Sequence, residues 1–324
     1  MLFWALGVGS WALTAVLGIA GPVSAAERYA VVISGASGDE KYAAQQKKWR
    51  NELEAFLTTN FAFPEANLVF LDEAAQGSLK ATADNVRRVL GDLRRRTTRD
   101  DIVLILLIGH GTFDGIDAKF NLVGPDLAAP DWKQLVDGLA ARLVLVNTTA
   151  ASFPFVEQLS RPGRVIITAT DSAQQRFSTV FPEYFIRALA DRSSDLDKNG
   201  RVSIWEAFTS ASAGVRQHYE RLGQLSTERS VLDDDGDGAG REAGAPGQDG
   251  VLAQALYFDP ERTSDGSDPV VAALERQRAS LEKQLEGLKN RRNEIPEDQY
   301  QAELERIFIE LARIGQEIRK RSGT

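Results

Sequence analysis

The residues from 195 to 206, DLDKNGRVSIWE, place oxygen-bearing side chains at the spacing of a cation-binding loop. Calcium prefers oxygen ligands, and the twelve-residue EF-hand loop supplies them from positions 1, 3, 5, 7, 9 and 12, with glycine at position 6. Gly200 stands at that sixth position. The predicted ligands are Asp195, Asp197, Asn199, the backbone carbonyl of Arg201, Ser203 and Glu206. Residues 195–206 are called the first acidic loop below. The alternative is that they form a solvated acidic turn, but agreement at every diagnostic position favours calcium.

A second acidic run, DDDGDG at residues 233–238, repeats the beginning of this pattern. It matches positions 1, 3, 5 and 6 of the template, with Asp233, Asp235, Asp237 and Gly238. Position 12 is Gly244, which offers no carboxylate, and the nearest acid is Glu242 at position 10. Residues 233–244, the second acidic loop, are therefore predicted either to bind calcium through a different closing ligand or to form a disordered acidic loop.

The stretch ILLIGHGTFDG, residues 105–115, places one of only two histidines between glycines at the end of an apolar run. A strand that ends at His110 can present its imidazole as a base to a nucleophile on a neighbouring strand. The next apolar run, residues 143–146, leads into the small polar residues 147–152, where such a nucleophile is expected. The alternative is that His110 caps a turn or satisfies a buried carbonyl.

With these two strand ends the chain resembles the caspase-like cysteine peptidases, and among them the legumain-like branch. The resemblance in strand order covers residues 28–191. In that superfamily one strand ends in His-Gly, and the next core strand ends in the catalytic cysteine followed by small residues. The resemblance matches His110 and Gly111 to the His-Gly motif. It places Thr149 at the cysteine position, with Thr148 as the one-residue-shifted option. The residues that it places at the family's substrate pocket are Thr170, Asp171 and Ser172.

The chain contains no cysteine, which excludes the thiolate chemistry of that family. A hydroxyl nucleophile needs a well-placed base and usually a third group that orients the base. We therefore expect a pseudopeptidase whose site binds an extended peptide or another ligand without cutting it. The alternative is a hydrolase that uses Thr149 or Ser152 with His110, the imidazole being oriented by Asp114 or Asp171.

Short runs rich in Val, Ile and Leu alternate with helical segments from Arg28 onward. This alternation predicts an α/β fold with a mostly parallel sheet sandwiched by helices, in which ligands bind at the carboxyl ends of the strands. The predicted organisation is a caspase-like core at 27–192, an EF-hand helix-loop-helix with the second acidic loop at 182–262, and a tail at 269–324. Apolar stripes on either side of Pro296 predict a helical hairpin or coiled coil for that tail.

Residues 1–26 carry no charged side chain and end in small residues, which is typical of a signal peptide. They lack a positive first region, so an uncleaved membrane anchor is the alternative. Both readings predict an exported protein, periplasmic or secreted. The net charge of -8 argues against a nucleic-acid partner, which would need a concentrated basic surface.

Together these patterns predict an exported calcium-binding protein that has lost thiol catalysis and serves as a binding or assembly module. The expected cofactor is Ca²⁺, and the expected partner is a protein or peptide. Membrane contact is expected only if the N-terminal segment is uncleaved, and oligomers would form through the helical tail. In a third hypothesis the tail alone defines the function, and the domain is a calcium-stabilised platform for oligomerisation.

Overall fold

A computed structural model describes residues 26–260, 269–290, 292 and 295–322. The strands are β1 (Arg28–Ser34), β2 (Leu68–Asp72), β3 (Ile102–Ile108), β4 (Gly111–Phe113), β5 (Ala118–Phe120), β6 (Leu127–Ala128), β7 (Arg142–Asn147), β8 (Arg164–Thr168) and β9 (Val231–Asp233). Six of them form a sheet in the order β2-β1-β3-β7-β8-β9. Neighbouring strands in this sheet are parallel, except that β9 runs antiparallel to β8.

Helices cover both faces of this sheet. The helices of the described chain are α1 (Glu40–Ala55), α2 (Ala83–Arg96), α3 (Ala129–Val136), α4 (Pro154–Leu159), α5 (Phe181–Ala190), α6 (Ile204–Arg221), α7 (Val251–Ala255), α8 (Pro269–Asn290) and α9 (Glu297–Ser322), of which α1 to α7 pack on the sheet. Residues of α1, α5, α6 and α7 pack in one apolar core, and residues of α2, α3 and α4 pack in a second. The predicted α/β class, a mostly parallel sheet between layers of helices, is confirmed.

Strand β3 lies in the middle of the sheet, and all seven of its side chains are buried. Side chains such as Leu104 and Leu106 join the core beneath α1, α5 and α6, whereas Val103 and Ile105 join the core beneath α2, α3 and α4. Burying each such side chain contributes roughly 1.5–3 kcal/mol. A strand that is covered by helices on both faces buries all of its side chains. For this reason the sequence of β3 is a continuous apolar run and does not alternate with polar residues.

The register between β3 and β7 brings their carboxyl ends to the same edge of the sheet. Leu107 is paired with Asn147. The N–H of Thr148 then donates to the carbonyl of Leu107 at 3.1 Å, which continues the pairing past the end of β7. The segments that begin at His110 and Thr149 consequently leave neighbouring strands side by side. The small antiparallel sheet β4-β5-β6 follows His110 at this edge.

The predicted helix-loop-helix is present, formed by α5, the first acidic loop and α6. Between α5 and the loop the chain makes one 3₁₀ turn, Arg192–Ser194. Ser203 caps α6 by accepting the N–H of Glu206, and the Glu206 carboxylate accepts the N–H of Ser203. Phe185 of α5 and Phe208 of α6 are buried in the same core. The loop is thus held between two helices that are packed on the sheet.

The tail forms the predicted helical hairpin of α8 and α9. The buried residues that hold the two helices together are Leu281, Leu288, Tyr300, Ile307 and Ile314. Among the described residues, this cluster shares no member with the two cores around the sheet. Pro296 lies between the helices, immediately before α9. The hairpin therefore buries both apolar stripes of the tail against each other.

The N-terminal segment that sequence analysis interprets as a signal peptide, residues 1–26, lies outside the described residues except for Ala26. Within the part of the chain that is described, the helices are too short or too polar to cross a membrane.

Candidate functional site

The first acidic loop gathers carboxylate oxygens at one point. Asp195, Asp197 and Glu206 each offer an oxygen, and these oxygens lie within 4.8 Å of one another. Asp195 and Glu206 are buried, with 8% and 5% of their surfaces exposed, whereas Asp197 faces solvent. Three carboxylates at this separation repel one another, so the site is suited to a cation bound by oxygen ligands.

The backbone of the loop points its N–H groups at these carboxylates. Asp195 accepts the N–H groups of Asn199 and Gly200, at 3.0 and 2.8 Å. The Asn199 side-chain oxygen accepts the N–H of Arg201 at 2.8 Å. Gly200 has a φ of +86°, which a side chain would strain, so glycine is needed at this turn. The loop's own hydrogen bonds therefore fix the side chains of Asp195 and Asn199, two of the predicted ligands.

Glu206 joins the end of the loop to its beginning. Its Oε1 accepts the N–H groups of Leu196 and Asp197, at 2.7 and 3.2 Å. Its Oε2 accepts hydrogen bonds from the N–H and hydroxyl of Ser203, both at 2.8 Å. The Ser203 side chain is thus used in the helix cap. Because Glu206 belongs to α6, its carboxylate connects the beginning of the loop directly to this helix.

Arg201 is predicted to contribute its backbone carbonyl, and its side chain is held at the outer side of the loop. The guanidinium Nε donates to Asp259 at 2.8 Å and the group stacks over the Tyr257 ring, 4.1 Å from its centre. Tyr257 also accepts a hydrogen bond from the Asn199 amide at 3.1 Å. Residues 257–259 therefore brace the loop from a distant part of the chain.

Negative charge is concentrated in the first acidic loop. Partial burial of the carboxylate, together with the charge of Glu206 beside it, raises the pKa of Asp197 to about 6, although the residue as a whole is exposed. A raised pKa means that the folded state binds a proton there more tightly than the unfolded chain does. A bound cation would likewise reduce the repulsion between the carboxylates of this loop.

The second acidic loop gathers its three predicted ligands in the same way. Oxygens of Asp233, Asp235 and Asp237 lie within 4.8 Å of one another. Asp233 is fully buried at the end of β9, while Asp235 and Asp237 are exposed. Sequence analysis missed Asp249, whose carboxylate accepts the N–H of Asp234 at 2.9 Å. It lies beyond the twelve residues of the template, so only the folded chain brings it to the loop.

His110 lies just beyond β3 and is partly buried. Its Nε2 is 2.9 Å from the carbonyl oxygen of Ser37, so this nitrogen carries the proton and donates. The ring packs perpendicular to that of Tyr42, with 4.6 Å between ring centres. These contacts are the turn-stabilising role that sequence analysis gives as the alternative to catalysis.

The hydroxyls expected beside His110 are bonded elsewhere. Thr149 is 1% exposed, and its hydroxyl donates to the Asn147 side-chain oxygen at 2.8 Å, with the Ala150 carbonyl at 3.1 Å. Ser152, also 1% exposed, shares a hydrogen bond with the Thr170 hydroxyl at 3.1 Å. Sequence analysis gives Asn147 no role, yet its amide fixes the Thr149 hydroxyl.

Neither acid proposed to orient the imidazole is directed at it. Asp114 pairs with Lys119 at 2.6 Å, and this hydrogen bond, with those from the N–H groups of Asp117 and Ile116, lowers the pKa of Asp114. Asp171 lies 3.5 Å from Arg229. The structure therefore brings the two strand ends together without giving His110 a hydrogen-bonded nucleophile or acid in the described part of the chain.

A cleft of about 410 Å³ opens beside these strand ends, between the β4-β5 sheet and the start of α4. Its walls include Phe113, Ile116 and Phe153. Asp171 and Ser172, two of the three residues that the family resemblance assigns to a substrate pocket, line it. Thr170, the third, is buried and bonded to Ser152 instead.

No family model matches the sequence, and the curated proteins give no match either. A solved structure of a Geobacter sulfurreducens protein resembles the chain with a TM-score of 0.42 and 13% identity, covering 64% of this chain and 92% of that one. Another is a secreted C11 cysteine protease from Bacteroides thetaiotaomicron, solved with an irreversible peptide inhibitor. It gives a TM-score of 0.39 and 12% identity, covering 65% of this chain and 66% of that protease. The α/β class of this chain is assigned from its own strand order and its two apolar cores.

The contact between Gly111 and the Thr149 segment leads to a prediction about stability. A Cβ at Gly111 would overlap the Ala150 carbonyl oxygen and the Thr149 hydroxyl. We expect Gly111→Ala to lower the free energy of unfolding by about 1–3 kcal/mol, because one of the two strand ends must move. Urea denaturation measures the change. The control is Gly91→Ala in α2, where the nearest atom is 3.9 Å away and stability should rise or stay the same. Equal stability of the two variants would contradict the packing described.

Proposed function

We propose that this chain is an exported, calcium-binding protein of caspase-like fold that serves as a non-catalytic binding or assembly module. The observation that carries the proposal is the convergence of the Asp195, Asp197 and Glu206 oxygens within 4.8 Å, in a loop between two packed helices. The mostly parallel sheet with adjacent His110 and Thr149 strand ends supports the fold family. The hydrogen bonding of Thr149 supports the lack of catalysis.

Calcium is the cation that the first acidic loop suits best. The predicted ligands are hard oxygens only: the carboxylates of Asp195, Asp197 and Glu206, the Asn199 amide oxygen, the Arg201 carbonyl, and Ser203 directly or through water. Calcium accepts six to eight oxygens in flexible geometry, whereas magnesium requires a smaller, nearly ideal octahedron. Thiolate ligands are excluded because the chain has no cysteine. A bound ion would offset the repulsion between the three carboxylates.

The ion would stabilise the domain through α5 and α6. Asp195 follows α5, and Glu206 lies in the first turn of α6, so one ion would join the two helices. Both helices contribute to the core beneath the sheet. Because an ion that binds only the folded state stabilises it by mass action, calcium would raise the stability of the whole domain.

Catalysis by a hydroxyl is disfavoured by the hydrogen bonds at the strand ends. A threonine nucleophile must hand its proton to a base within hydrogen-bond reach. The Thr149 hydroxyl instead donates to Asn147, and His110 donates to the Ser37 carbonyl. The cleft lined by Phe113 and Ile116 is then the surface proposed to receive a protein or peptide partner without cutting it.

Export and assembly complete the proposal. The uncharged N-terminal 26 residues support export to the periplasm or outside the cell, with membrane contact only if they are uncleaved. The tail supports oligomer formation, because Phe308 and Ile309 of α9 remain 50% and 54% exposed, outside the buried cluster that joins the two helices. The net charge of -8 supports partners other than nucleic acid.

The calcium proposal predicts that Glu206→Gln weakens binding at the first acidic loop by roughly tenfold or more, because the closing carboxylate loses its charge. Calorimetric titration with calcium chloride on the full chain measures this. The matched control is Glu220→Gln at the exposed end of the same helix, which should leave the titration unchanged. The absence of any binding heat in the wild type, or the same heat from Glu206→Gln, would reject the first loop as a calcium site.

The non-catalytic proposal predicts no peptide cleavage. Wild type and His110→Ala are incubated with a diverse peptide library, each with and without calcium, and the products are followed by mass spectrometry. Both proteins should leave the library intact, since the hydroxyl beside His110 is bonded to Asn147. Cleavage by the wild type that His110→Ala abolishes would instead establish the hydrolase that uses Thr149 or Ser152.

The assembly proposal predicts that the full chain sediments as an oligomer, whereas a chain ending at residue 268 sediments as a monomer. Phe308→Glu should also yield the monomer, because it places a charge on the exposed apolar face of α9. Ala302→Glu adds the same charge at another exposed position of that helix and should leave the oligomer intact. A full-length chain that sediments as a monomer would rule out assembly through the tail.

A further inference from the structure

The second acidic loop folds like the first over its opening positions. In each loop the first aspartate, Asp195 or Asp233, accepts the N–H of the glycine at position 6, at 2.8 and 2.7 Å. That glycine, Gly200 or Gly238, has a φ of +86° or +74°. The side chain at position 3 accepts the N–H of position 5 at 2.9 Å in both loops, and the side chain at position 5 accepts the N–H of position 7 at 2.8 and 2.7 Å.

Asp249 takes the place in the second loop that Glu206 has in the first. Glu206 Oε1 accepts the N–H groups of loop positions 2 and 3, at 2.7 and 3.2 Å. Asp249 Oδ1 accepts the N–H groups of the same two positions, Asp234 and Asp235, at 2.9 and 3.3 Å. The acid that closes the second loop is therefore Asp249, five residues after position 12, and not Glu242.

The other carboxylate oxygen of Asp249 lacks the partner that its counterpart has. Glu206 Oε2 is hydrogen-bonded by Ser203. Asp249 is only 5% exposed, and its Oδ2 accepts no hydrogen bond from the described residues. A buried, unpaired carboxylate oxygen is costly, and such atoms in folded proteins call for an explanation such as an ion.

Asp249 is held at the second acidic loop by its Oδ1, which accepts the N–H groups of Asp234 and Asp235, so its carboxylate adds negative charge there. Burial raises the pKa of Asp249 to about 6, and the nearby negative charges of Asp235 and Asp233 add to the increase. Asp237 has one neighbouring cation, Arg241, at 3.5 Å on the exposed side. An exposed ion pair of this kind contributes little. On the buried side, the charges of Asp233 and Asp249 are met by backbone N–H groups.

We propose that Asp249 closes a second calcium site, in which Asp233, Asp235 and Asp237 are the other carboxylate ligands. The backbone carbonyl at position 7, Ala239, matches the position from which the template draws a main-chain oxygen. All the ligands are hard oxygens, as in the first loop. This site uses a different part of the chain and does not depend on calcium binding at Glu206.

A bound ion at the second site would connect β9, the edge strand of the six-stranded sheet, to the start of α7. Asp233 is the last residue of β9, the antiparallel edge strand. Next to it, the buried Asp234 carboxylate accepts the N–H groups of Gly250 and Ala253 at the start of α7, at 2.7 and 2.8 Å. An ion held between Asp233 and Asp249 joins the same two elements again. The ion would then hold both ends of the segment 238–248, one at the start of the second acidic loop and the other at Asp249.

Calcium stoichiometry on the full chain tests the proposal. Equilibrium dialysis against calcium should give two ions per chain for the wild type and one for Asp249→Asn, which removes the closing charge with little change of shape. Asp237→Asn, at the exposed position 5, should also bind one ion fewer or bind it at least about tenfold more weakly. Glu242→Gln, which neutralises the acid nearest to position 12 in the sequence, should still bind two.

Variants of the first loop separate this result from the test of the proposed function. Glu206→Gln should bind one ion, and the double variant Glu206→Gln with Asp249→Asn should bind none. If the first loop does not bind, the wild type binds one ion that Asp249→Asn loses, and the second site stands alone. The proposal is overturned if Asp249→Asn and the wild type bind equal numbers of ions with equal affinity. Retained binding at the first loop shows that Asp249→Asn is folded.

Discussion

The burial of β3 on both faces is the constraint on which the remaining elements depend. Its seven side chains are covered alternately by the two cores. Helices must therefore lie above and below the strand, and the connections between strands must run through them. The same arrangement aligns the carboxyl ends of β1, β3 and β7, so polar residues from distant parts of the sequence meet at one edge. The strand-end site and the cleft beside it both result from this packing.

Concentrated negative charge shapes the rest of the domain. Two unit charges 4.8 Å apart repel by about 3 kcal/mol at an effective dielectric constant of about 20, and each acidic loop gathers three such groups. Backbone N–H groups directed at Asp195 and Asp233 offset part of this repulsion. The proposed cations would offset more of it. Because Glu206 belongs to α6 and Asp249 precedes α7, that compensation would also connect the loops to helices on the sheet.

At the carboxyl ends of β3 and β7, the segments of His110 and Thr149 are neighbours in the sheet, but their side chains are not hydrogen-bonded to each other. A thiolate can form without a hydrogen-bonded base, whereas a hydroxyl depends on one. The Asn147 side-chain oxygen accepts a hydrogen bond from the Thr149 hydroxyl, and His110 donates one to the main chain of the loop after β1. The two residues are neighbours through the sheet, yet their hydrogen bonds lead away from each other.

The α/β class, the helix-loop-helix and the helical hairpin could be predicted from the sequence alone, because each depends on local periodicity and on spacing within a short segment. The sequence also identified Asp195, Asp197 and Glu206 as one cluster, since they belong to a single twelve-residue loop. The contacts of Thr149 and Asp249, by contrast, depend on how distant parts of the chain pack. The Thr149 hydroxyl lies near two acceptors, the Asn147 side-chain oxygen and the Ala150 carbonyl, in a site where it also packs against Gly111. Asp249 reaches the second loop because α7 packs beside β9 through Asp234, a long-range contact that no local spacing encodes.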